Sequence, residues 1–333
     1  MYKLFYLLSW SFLLVRCTGA IKNTEAQIIE EAGTQIADST SVGADKKVIH
    51  GDYAKLASPK GGSPLIGYWV GYFREDRGER TRESKTLYVD EGYMWSRENK
   101  INISIDSINH PNVWGHSVVA GNDRPFEGLV ESMVDNYTRD TLHRFDVHEP
   151  GDDQYDGRFT FEISNNQLTG TWQAYHAIEI PRRKYTLERK TFAYDPDIRL
   201  ERAKRYVDWQ NVSEAEQTAD YGDGEVETWI SQKFASASDQ IYTLNASNTL
   251  LDKSKVENLK RGDLIIVRNT IYARHGYSFK NRPLRVFFDA QPWYIPVHAD
   301  IRNDFTDIEK QNIQLLLRYE ENAAEYYDYF GRG

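Results

Sequence analysis

Cysteine is almost absent from this sequence of 333 residues, in which Cys17 is the single example. Because Cys17 lies so close to the N-terminus, the segments that can form folded cores contain no thiol. Disulfide bonds, thiolate zinc sites and cysteine nucleophiles are therefore excluded from those segments. Their stability has to come from hydrophobic packing, for which a hydrophobic content of 40% is ordinary.

The sequence also lacks an excess of positive charge. Its 41 Lys and Arg residues stand against 50 Asp and Glu residues, which gives a formal net charge of −9. Loss of Lys3 and Arg16 with an N-terminal leader would lower this charge from −9 to −11. A chain this acidic is a poor partner for nucleic acids or anionic membranes. We therefore expect no nucleic-acid partner, and membrane attachment only through a lipid anchor.

Common catalytic and nucleotide-binding motifs are missing, including H-E-x-x-H, Walker A, G-x-S-x-G and G-x-G-x-x-G. The acidic segment 149–156 does not fit an EF-hand loop, because Ile163 stands where the bidentate glutamate belongs. His143 and His148 are five positions apart, which places them on opposite faces of a strand. We therefore predict no metal site and no cofactor, and the sequence favours a binding protein over an enzyme.

The N-terminus has the pattern of a secretory signal segment. Lys3 is followed by an uncharged apolar run over residues 4–15. Twelve helical residues rise only ~18 Å, too little for a bilayer core of ~30 Å. The run therefore resembles the hydrophobic region of a signal peptide, and residues 1–20 are predicted to direct export. No later stretch approaches 18 apolar residues.

Two ways of processing this segment stay open. Cys17 directly follows the apolar run, and Leu14 lies three residues before it, as at the lipidation site of a bacterial lipoprotein. Arg16 departs from that pattern, which has a small residue before the cysteine. Cleavage after Ala20 is the alternative, because Thr18-Gly19-Ala20 resembles a small-x-small site. The mature protein is therefore predicted to be a membrane-anchored lipoprotein or a secreted or periplasmic protein.

The next two segments differ sharply in pattern. Residues 21–62 are rich in Ala, Ser, Thr, Asp, Lys and Gly, and are predicted to form a flexible tether. Residues 63–195 alternate between apolar and polar side chains in short runs, which predicts eight to ten antiparallel strands. Gly67-Tyr68-Trp69 and Gly170-Thr171-Trp172 share a G-x-W pattern, and the first resembles the opening strand of lipocalin-like barrels. That resemblance implies a barrel mouth able to hold a small apolar ligand.

The C-terminal part has a helical period. Residues 196–236 are predicted as a linker of helix and loop, with a helix over 196–211, and residues 237–330 as an α-helical domain. Within it, a helix from Gly262 should end at Gly276, since glycine can adopt the left-handed conformation of a helix stop. Asn281 and Thr306 are placed to cap two further helices.

Residues 268–276 read Arg-Asn-Thr-Ile-Tyr-Ala-Arg-His-Gly, which resembles the signature of the bacterial YARHG domain. Phe287-Phe288, Trp293-Tyr294 and residues 309–313 follow in the order and spacing of that family. The resemblance covers about residues 250–320 and implies an extracellular bacterial location, without an activity to transfer. The predicted fold class is α+β in two domains, an antiparallel all-β barrel or sandwich followed by a small all-α YARHG domain.

The polar residues of this region allow two interpretations. A buried Arg268 needs an acidic partner, which Glu309 or Asp289 would supply. One interpretation is a structural polar network, formed by Arg268, Asn269, Glu309 and Asn312. The other is a ligand site, formed by Arg274, His275, Trp293 and Tyr294.

The leading functional prediction is an exported cell-envelope protein that binds an envelope component or another extracytoplasmic protein. One alternative is a hydrolase of envelope polymers that uses His275 with Glu309 or with a carboxylate of segment 149–156. A second alternative is a carrier of a small apolar ligand in a lipocalin-like barrel. Burial of His275 without a cleft would count against the hydrolase, and a filled barrel would count against the carrier.

Overall fold

The structure is a computed structural model that describes residues 63–76, 87–89, 93–134, 140–222, 226–301 and 303–323. The predicted signal segment, Cys17 and the tether lie outside the described residues, as does the end of the predicted helical domain. All described residues belong to one compact unit, Val48–Gly333.

An eight-stranded antiparallel barrel forms the N-terminal part. Its closed order is β1-β10-β9-β8-β7-β6-β5-β4, and β4 pairs back with β1, while β2 and β3 pair only with each other. The strands are β1 (Gly67–Glu75), β2 (Leu87–Val89), β3 (Tyr93–Trp95), β4 (Asn99–Asn109), β5 (Asn112–Val119), β6 (Asn122–Val134), β7 (Thr141–His148), β8 (Gly157–Ser164), β9 (Gln167–Ala174) and β10 (Arg182–Lys190). The prediction of antiparallel strands is confirmed. Of the two predicted architectures, barrel and sandwich, the structure has the barrel.

Alternate residues of the strands fill the barrel interior. In β8, Phe159, Phe161 and Ile163 are buried in the core, while the residues between them are exposed or half-buried. Both G-x-W tryptophans, Trp69 and Trp172, belong to the same core. Each such side chain contributes roughly 1.5–3 kcal/mol on burial. The interior therefore stabilises the barrel through packing, as the lack of cysteine requires.

A long hairpin follows the barrel where the sequence predicted a helix over 196–211, and that prediction is wrong. Strand β11 (Val207–Asp220) pairs with β12 (Val226–Ser236). The physical reason is tertiary contact, since Trp209 stacks on Trp95 of β3 with ring centroids 4.7 Å apart. Much of the hairpin is exposed to solvent, including Ile230.

A helical region completes the described chain. It begins with a 3-10 turn at Asp239–Tyr242, and its helices are α1 (Lys253–Val256), α2 (Arg261–Arg274), α3 (Arg282–Asp289) and α4 (Asp307–Glu320). The Asn281 side chain accepts a hydrogen bond from the backbone N–H of Leu284, and Thr306 forms a capping box with Glu309. Both predicted caps are therefore confirmed.

Gly276 ends α2 as predicted. Its φ of +73° lies in the left-handed region, where a side chain is disfavoured. A Cβ at this position would also lie 3.1 Å from the Phe192 ring and 3.1 Å from Cβ of Val297. The glycine of the motif is thus required by both backbone conformation and packing.

The helical region packs on the outer face of the barrel, and Lys100 of β4 is the central link. Its Nζ donates to the carbonyl oxygens of Gln291 at 2.8 Å and Tyr294 at 3.0 Å, and its backbone N–H donates to Oδ2 of Asp289 at 2.7 Å. The Tyr72 hydroxyl donates to the carbonyl oxygen of Asp289 at 2.8 Å. These polar bonds join barrel and helices within the one compact unit.

Candidate functional site

Arg268 and its neighbours on α2 are held inside the helical region. Arg268 forms a two-pronged ion pair with Glu320 of α4, with Nε–Oε1 at 2.6 Å and Nη2–Oε2 at 3.0 Å. The predicted partners are wrong, because Glu309 bonds His275 and Asp289 bonds Lys100 instead. Helix α4 packs antiparallel to α2. The C-terminal end of α4, which carries Glu320, therefore lies beside Arg268.

The two asparagines of the predicted polar network also have partners inside the protein. Asn269 donates to the carbonyl oxygen of Ile265 at 2.8 Å. Asn312 is fully buried, accepts from the backbone N–H of Leu251 at 2.8 Å, and donates to two carbonyl oxygens of the same loop. Asn312 therefore fixes the loop before α1 against α4.

His275 and Glu309 form a buried pair. Their Nε2–Oε2 distance is 2.8 Å, and the side chains are 1% and 0% exposed. Glu309 also accepts from the Tyr194 hydroxyl at 2.9 Å and from the backbone N–H of Thr306 at 3.0 Å. Burial acts to raise the pKa of Glu309, but the hydrogen bond and charge of His275, with the Thr306 N–H, bring that pKa below its usual value.

The residues predicted to bind a ligand beside His275 are also engaged within the protein. Arg274 donates through Nε and Nη2 to the carbonyl oxygen of Ile198 and through Nη1 to Oγ of Ser247. Burial lowers the pKa of Arg274 to about 10. The Tyr294 hydroxyl donates to the carbonyl oxygen of Tyr277 at 2.7 Å. Trp293 is half-buried, and its Nε1 has no hydrogen-bond partner among the described residues.

The hydrolase alternative required an accessible His275. The ring of His275 instead contacts Glu309, Tyr194 and Phe305, none of which belongs to segment 149–156. A substrate would reach His275 only if the helical core opened. The geometry therefore gives this histidine a packing environment rather than a cleft.

A cavity of about 510 Å³ opens instead at one end of the barrel. Its apolar floor consists of Phe73, Phe159 and Trp172, whose rings contact one another with centroids 5.6–6.4 Å apart. The loop between β7 and β8 and the loop between β9 and β10 form part of its wall, and α3 of the helical region forms another part. Barrel and helices thus build the cavity jointly.

Glu149 lies on one wall of this cavity and is 6% exposed. It accepts hydrogen bonds from Oγ of Ser117 at 2.9 Å, the backbone N–H of Gly157 at 2.8 Å and Nε1 of Trp172 at 3.2 Å. Burial raises the pKa of Glu149 to about 7, against the opposing effect of these donors. The carboxyl group therefore ties the β7–β8 loop to the aromatic floor.

Asp156 organises the rest of the same loop. It accepts from Arg124 through both oxygens, with Nε–Oδ1 at 2.9 Å and Nη2–Oδ2 at 2.7 Å. The backbone N–H groups of Gly151 and Asp153 also donate to Asp156. The acidic segment 149–156 is therefore folded around Arg124.

Three further arginines line the cavity, Arg183 of β10 with Arg282 and Arg285 of α3. The guanidinium of Arg183 lies 5.0 Å from the centroid of the Phe73 ring, and its Nη1 donates to the carbonyl oxygen of Phe73 at 3.2 Å. Nε of Arg285 donates to Oδ1 of Asn99 at 2.9 Å. Burial lowers the pKa of Arg183 to about 10; the negative charge of Glu75 opposes this shift, and repulsion from Arg285, Arg282 and Arg97 adds to it.

Sequence reasoning pointed to none of these arginines. They come from a strand and a helix that lie far apart along the chain, so no local motif contains them. One signal was present, since Arg282 and Arg285 are three positions apart and share a face of their helix. The sequence did not show which part of the protein that helix face would contact, because the barrel was needed to define the cavity.

Residues 239–321 match the YARHG domain family, which is typical of extracytoplasmic proteins. The match begins at the 3-10 turn and ends just after α4, so the predicted resemblance is confirmed and extends further toward the N-terminus. No curated protein and no solved structure matches the chain. Within the described ranges, no helix has the length and apolarity needed to cross a membrane.

Proposed function

We propose that the protein is an exported binding protein that holds a small molecule in the cavity at the barrel mouth. The YARHG domain and the signal-like N-terminus support a location outside the cytoplasm. The observation that carries the proposal is the shared construction of the cavity, with an aromatic floor from the barrel and arginines from α3. Its volume of about 510 Å³ falls within the range of small-molecule sites.

In this proposal the motif residues have a supporting role. Arg268, Arg274, His275 and Glu309 hold the helical region together, and that region positions α3 at the cavity. The predicted ligand site at Arg274, His275, Trp293 and Tyr294 is therefore replaced by the barrel mouth. The partner is a small molecule of the cell envelope or its surroundings.

The two alternatives fit the geometry less well. A hydrolase built on His275 lacks an accessible histidine. A carrier of a purely apolar ligand would need a hollow barrel, whereas aromatic and aliphatic side chains fill the interior and charged residues line the mouth. A ligand with both apolar and polar groups would contact both the aromatic floor and the charged residues at the mouth.

The cavity is tested with two fluorescent probes that share one ring skeleton, 8-anilinonaphthalene-1-sulfonate and its uncharged analogue N-phenyl-1-naphthylamine. We expect saturable binding of at least one probe at a single site. Val119→Trp, which places an indole in the cavity wall, should weaken that binding about tenfold or more, since it removes space from the site.

Val134→Trp is the matched control, because Val134 is exposed at the end of β6 and does not line the cavity. Its probe affinity should equal that of the wild type. Absence of saturable binding of either probe to the folded wild type would refute the proposed function. Equal weakening by both substitutions would place the probe elsewhere and refute it as well.

We also propose that Cys17 is lipidated and holds the mature protein on a membrane, with residues 21–62 as the tether. The position of Leu14 and the end of the apolar run support this proposal. Mass spectrometry of the mature N-terminus from the native host should find a lipid-modified Cys17 as the first residue. An unmodified start at Ile21 would contradict lipidation and indicate cleavage after Ala20.

A further inference from the structure

We infer that the cavity binds an amphipathic organic anion, with its acidic head group against Arg183 and Arg285 and its apolar body over the aromatic floor. The inference rests on the proposed function and adds the chemical class of the ligand. Its basis is a difference between the acidic and the basic residues that line the cavity. The carboxylates already accept hydrogen bonds from the protein, whereas Arg183 and Arg285 keep some N–H donors unused.

The acidic residues of the cavity are occupied by donors from the protein. Both oxygens of Glu149 and both oxygens of Asp156 accept hydrogen bonds. Asp153 accepts from the backbone N–H of Tyr155, and Glu179 pairs with Arg97. These four carboxylates therefore serve the loops that carry them, and a cationic ligand would have to displace those bonds.

The three lining arginines Arg183, Arg282 and Arg285 keep donors available. Arg183 makes one hydrogen bond, to the carbonyl oxygen of Phe73, and the Nη2 group of Arg285 makes none to any described residue. Arg282 lies over the Trp95 ring at 5.4 Å. Across the described ranges, no carboxylate forms an ion pair with these three guanidinium groups, and Glu75, which lies opposite Arg183 in the β1–β10 pairing, attracts it only from a longer distance. An acidic ligand would supply the missing acceptor.

The fold brings Arg183 and Arg285 to the same place. Phe73 of β1 pairs in register with Asn99 of β4. Arg285 donates to the side chain of Asn99, and Arg183 donates to the backbone of Phe73. The two guanidinium groups therefore converge on neighbouring positions of adjacent strands. Their mutual repulsion would be relieved by one anion between them, and guanidinium groups match carboxylate, sulfonate and phosphate oxygens geometrically.

The apolar body of the ligand would lie on the floor. The Phe73 ring packs against Trp172 and also lies beneath Arg183. A molecule with its acid at Arg183 would therefore extend directly over Phe159 and Trp172. The ligand class is a compact organic acid with a ring or alkyl body, rather than a free inorganic ion.

The test compares the two probes in the full mature protein, because only one of them carries a sulfonate. We expect the wild type to bind the anionic probe about tenfold or more tightly than the uncharged analogue. Arg183→Gln should weaken the anionic probe about tenfold and leave the uncharged probe unchanged, since charge-assisted hydrogen bonds of this kind are lost. Arg182→Gln is the matched control, because Arg182 is exposed on the same strand and does not line the cavity.

The outcomes separate the inference from the proposed function. Saturable binding of both probes with equal affinity, insensitive to Arg183→Gln, would overturn the anionic class and leave the binding site in place. Binding of neither probe would refute the site itself. Circular dichroism checks that each variant is folded. If Arg183→Gln does not fold, Arg282→Gln takes its place, since Arg282 is exposed, lines the cavity and acts on Arg183 through its charge, so its loss should selectively weaken the anionic probe.

Discussion

Glu309→Ala is expected to lower the free energy of unfolding by about 3–5 kcal/mol, the scale for breaking a buried charged pair. The substitution removes the acceptor for three donors at once, Nε2 of His275, the Tyr194 hydroxyl and the Thr306 N–H. Bulk water does not reach these donors in the folded protein, because the His275 and Glu309 side chains are buried. Urea denaturation followed by circular dichroism measures the change.

Glu321→Ala provides the control, because Glu321 is exposed at the end of the same helix. It should change the free energy of unfolding by less than about 0.5 kcal/mol. His275→Ala and the double variant complete a cycle whose coupling energy isolates the pair. A cost below about 1 kcal/mol for Glu309→Ala would contradict the supporting role that we propose for the motif.

The His275–Glu309 pair also predicts in which direction the free energy of unfolding changes with pH. Because the pKa of Glu309 is lowered in the folded protein, its contribution to stability is complete above the pKa of an unfolded glutamate. That contribution is lost as the pH falls through the lowered folded value. The stability difference between wild type and Glu309→Ala should therefore shrink as the solution is made acidic.

The second large effect is expected for Lys100→Met, which keeps most of the length of the side chain and removes its charge. We expect a loss of about 3 kcal/mol in the free energy of unfolding, since a buried charged donor is removed from two carbonyl acceptors. The carbonyl oxygens of Gln291 and Tyr294 lose their donor, and Asp289 loses a neighbouring positive charge. Lys184→Met, at an exposed position of β10, should have little effect.

Asp289 gives this prediction a pH signature. Burial raises the pKa of Asp289 to about 7, so its charged form is unfavourable in the folded protein. Without Lys100 the carboxylate is still less favourable at high pH. Burial also lowers the pKa of Lys100 to about 8, so Lys100 stays largely charged below that pH. The cost of Lys100→Met should therefore decrease from about pH 7.5 to about pH 5, where Asp289 is protonated, without reaching zero. A cost equal to that of Lys184→Met would show that Lys100 does not link barrel and helices.

The sequence predicted those features that depend on neighbours along the chain. The caps at Asn281 and Thr306 join residues three positions apart, and the stop at Gly276 is a property of one residue. Strand alternation likewise predicted antiparallel strands in residues 63–195, because inward and outward positions follow a period of two.

Features that depend on distant contacts were missed. The hairpin forms where a helix was expected because Trp209 stacks on Trp95, a residue of a separate strand. Arg268 was correctly expected to need an acid, but its choice of Glu320 depends on how α2 and α4 align. The cavity escaped prediction altogether, since its walls come from strands and loops that meet only when the barrel closes.

The link through Lys100 has a thermodynamic consequence for the cavity. The helix that carries Arg285 also carries Asp289, which bonds the backbone of Lys100 in β4. A ligand that touches both the barrel floor and α3 would bind only while the two are docked. The ligand would then stabilise the docked arrangement of barrel and α3. At a concentration a hundredfold above its dissociation constant, this stabilisation would be about 2.7 kcal/mol. Thermal melting in the presence of the ligand would report occupancy of the cavity directly.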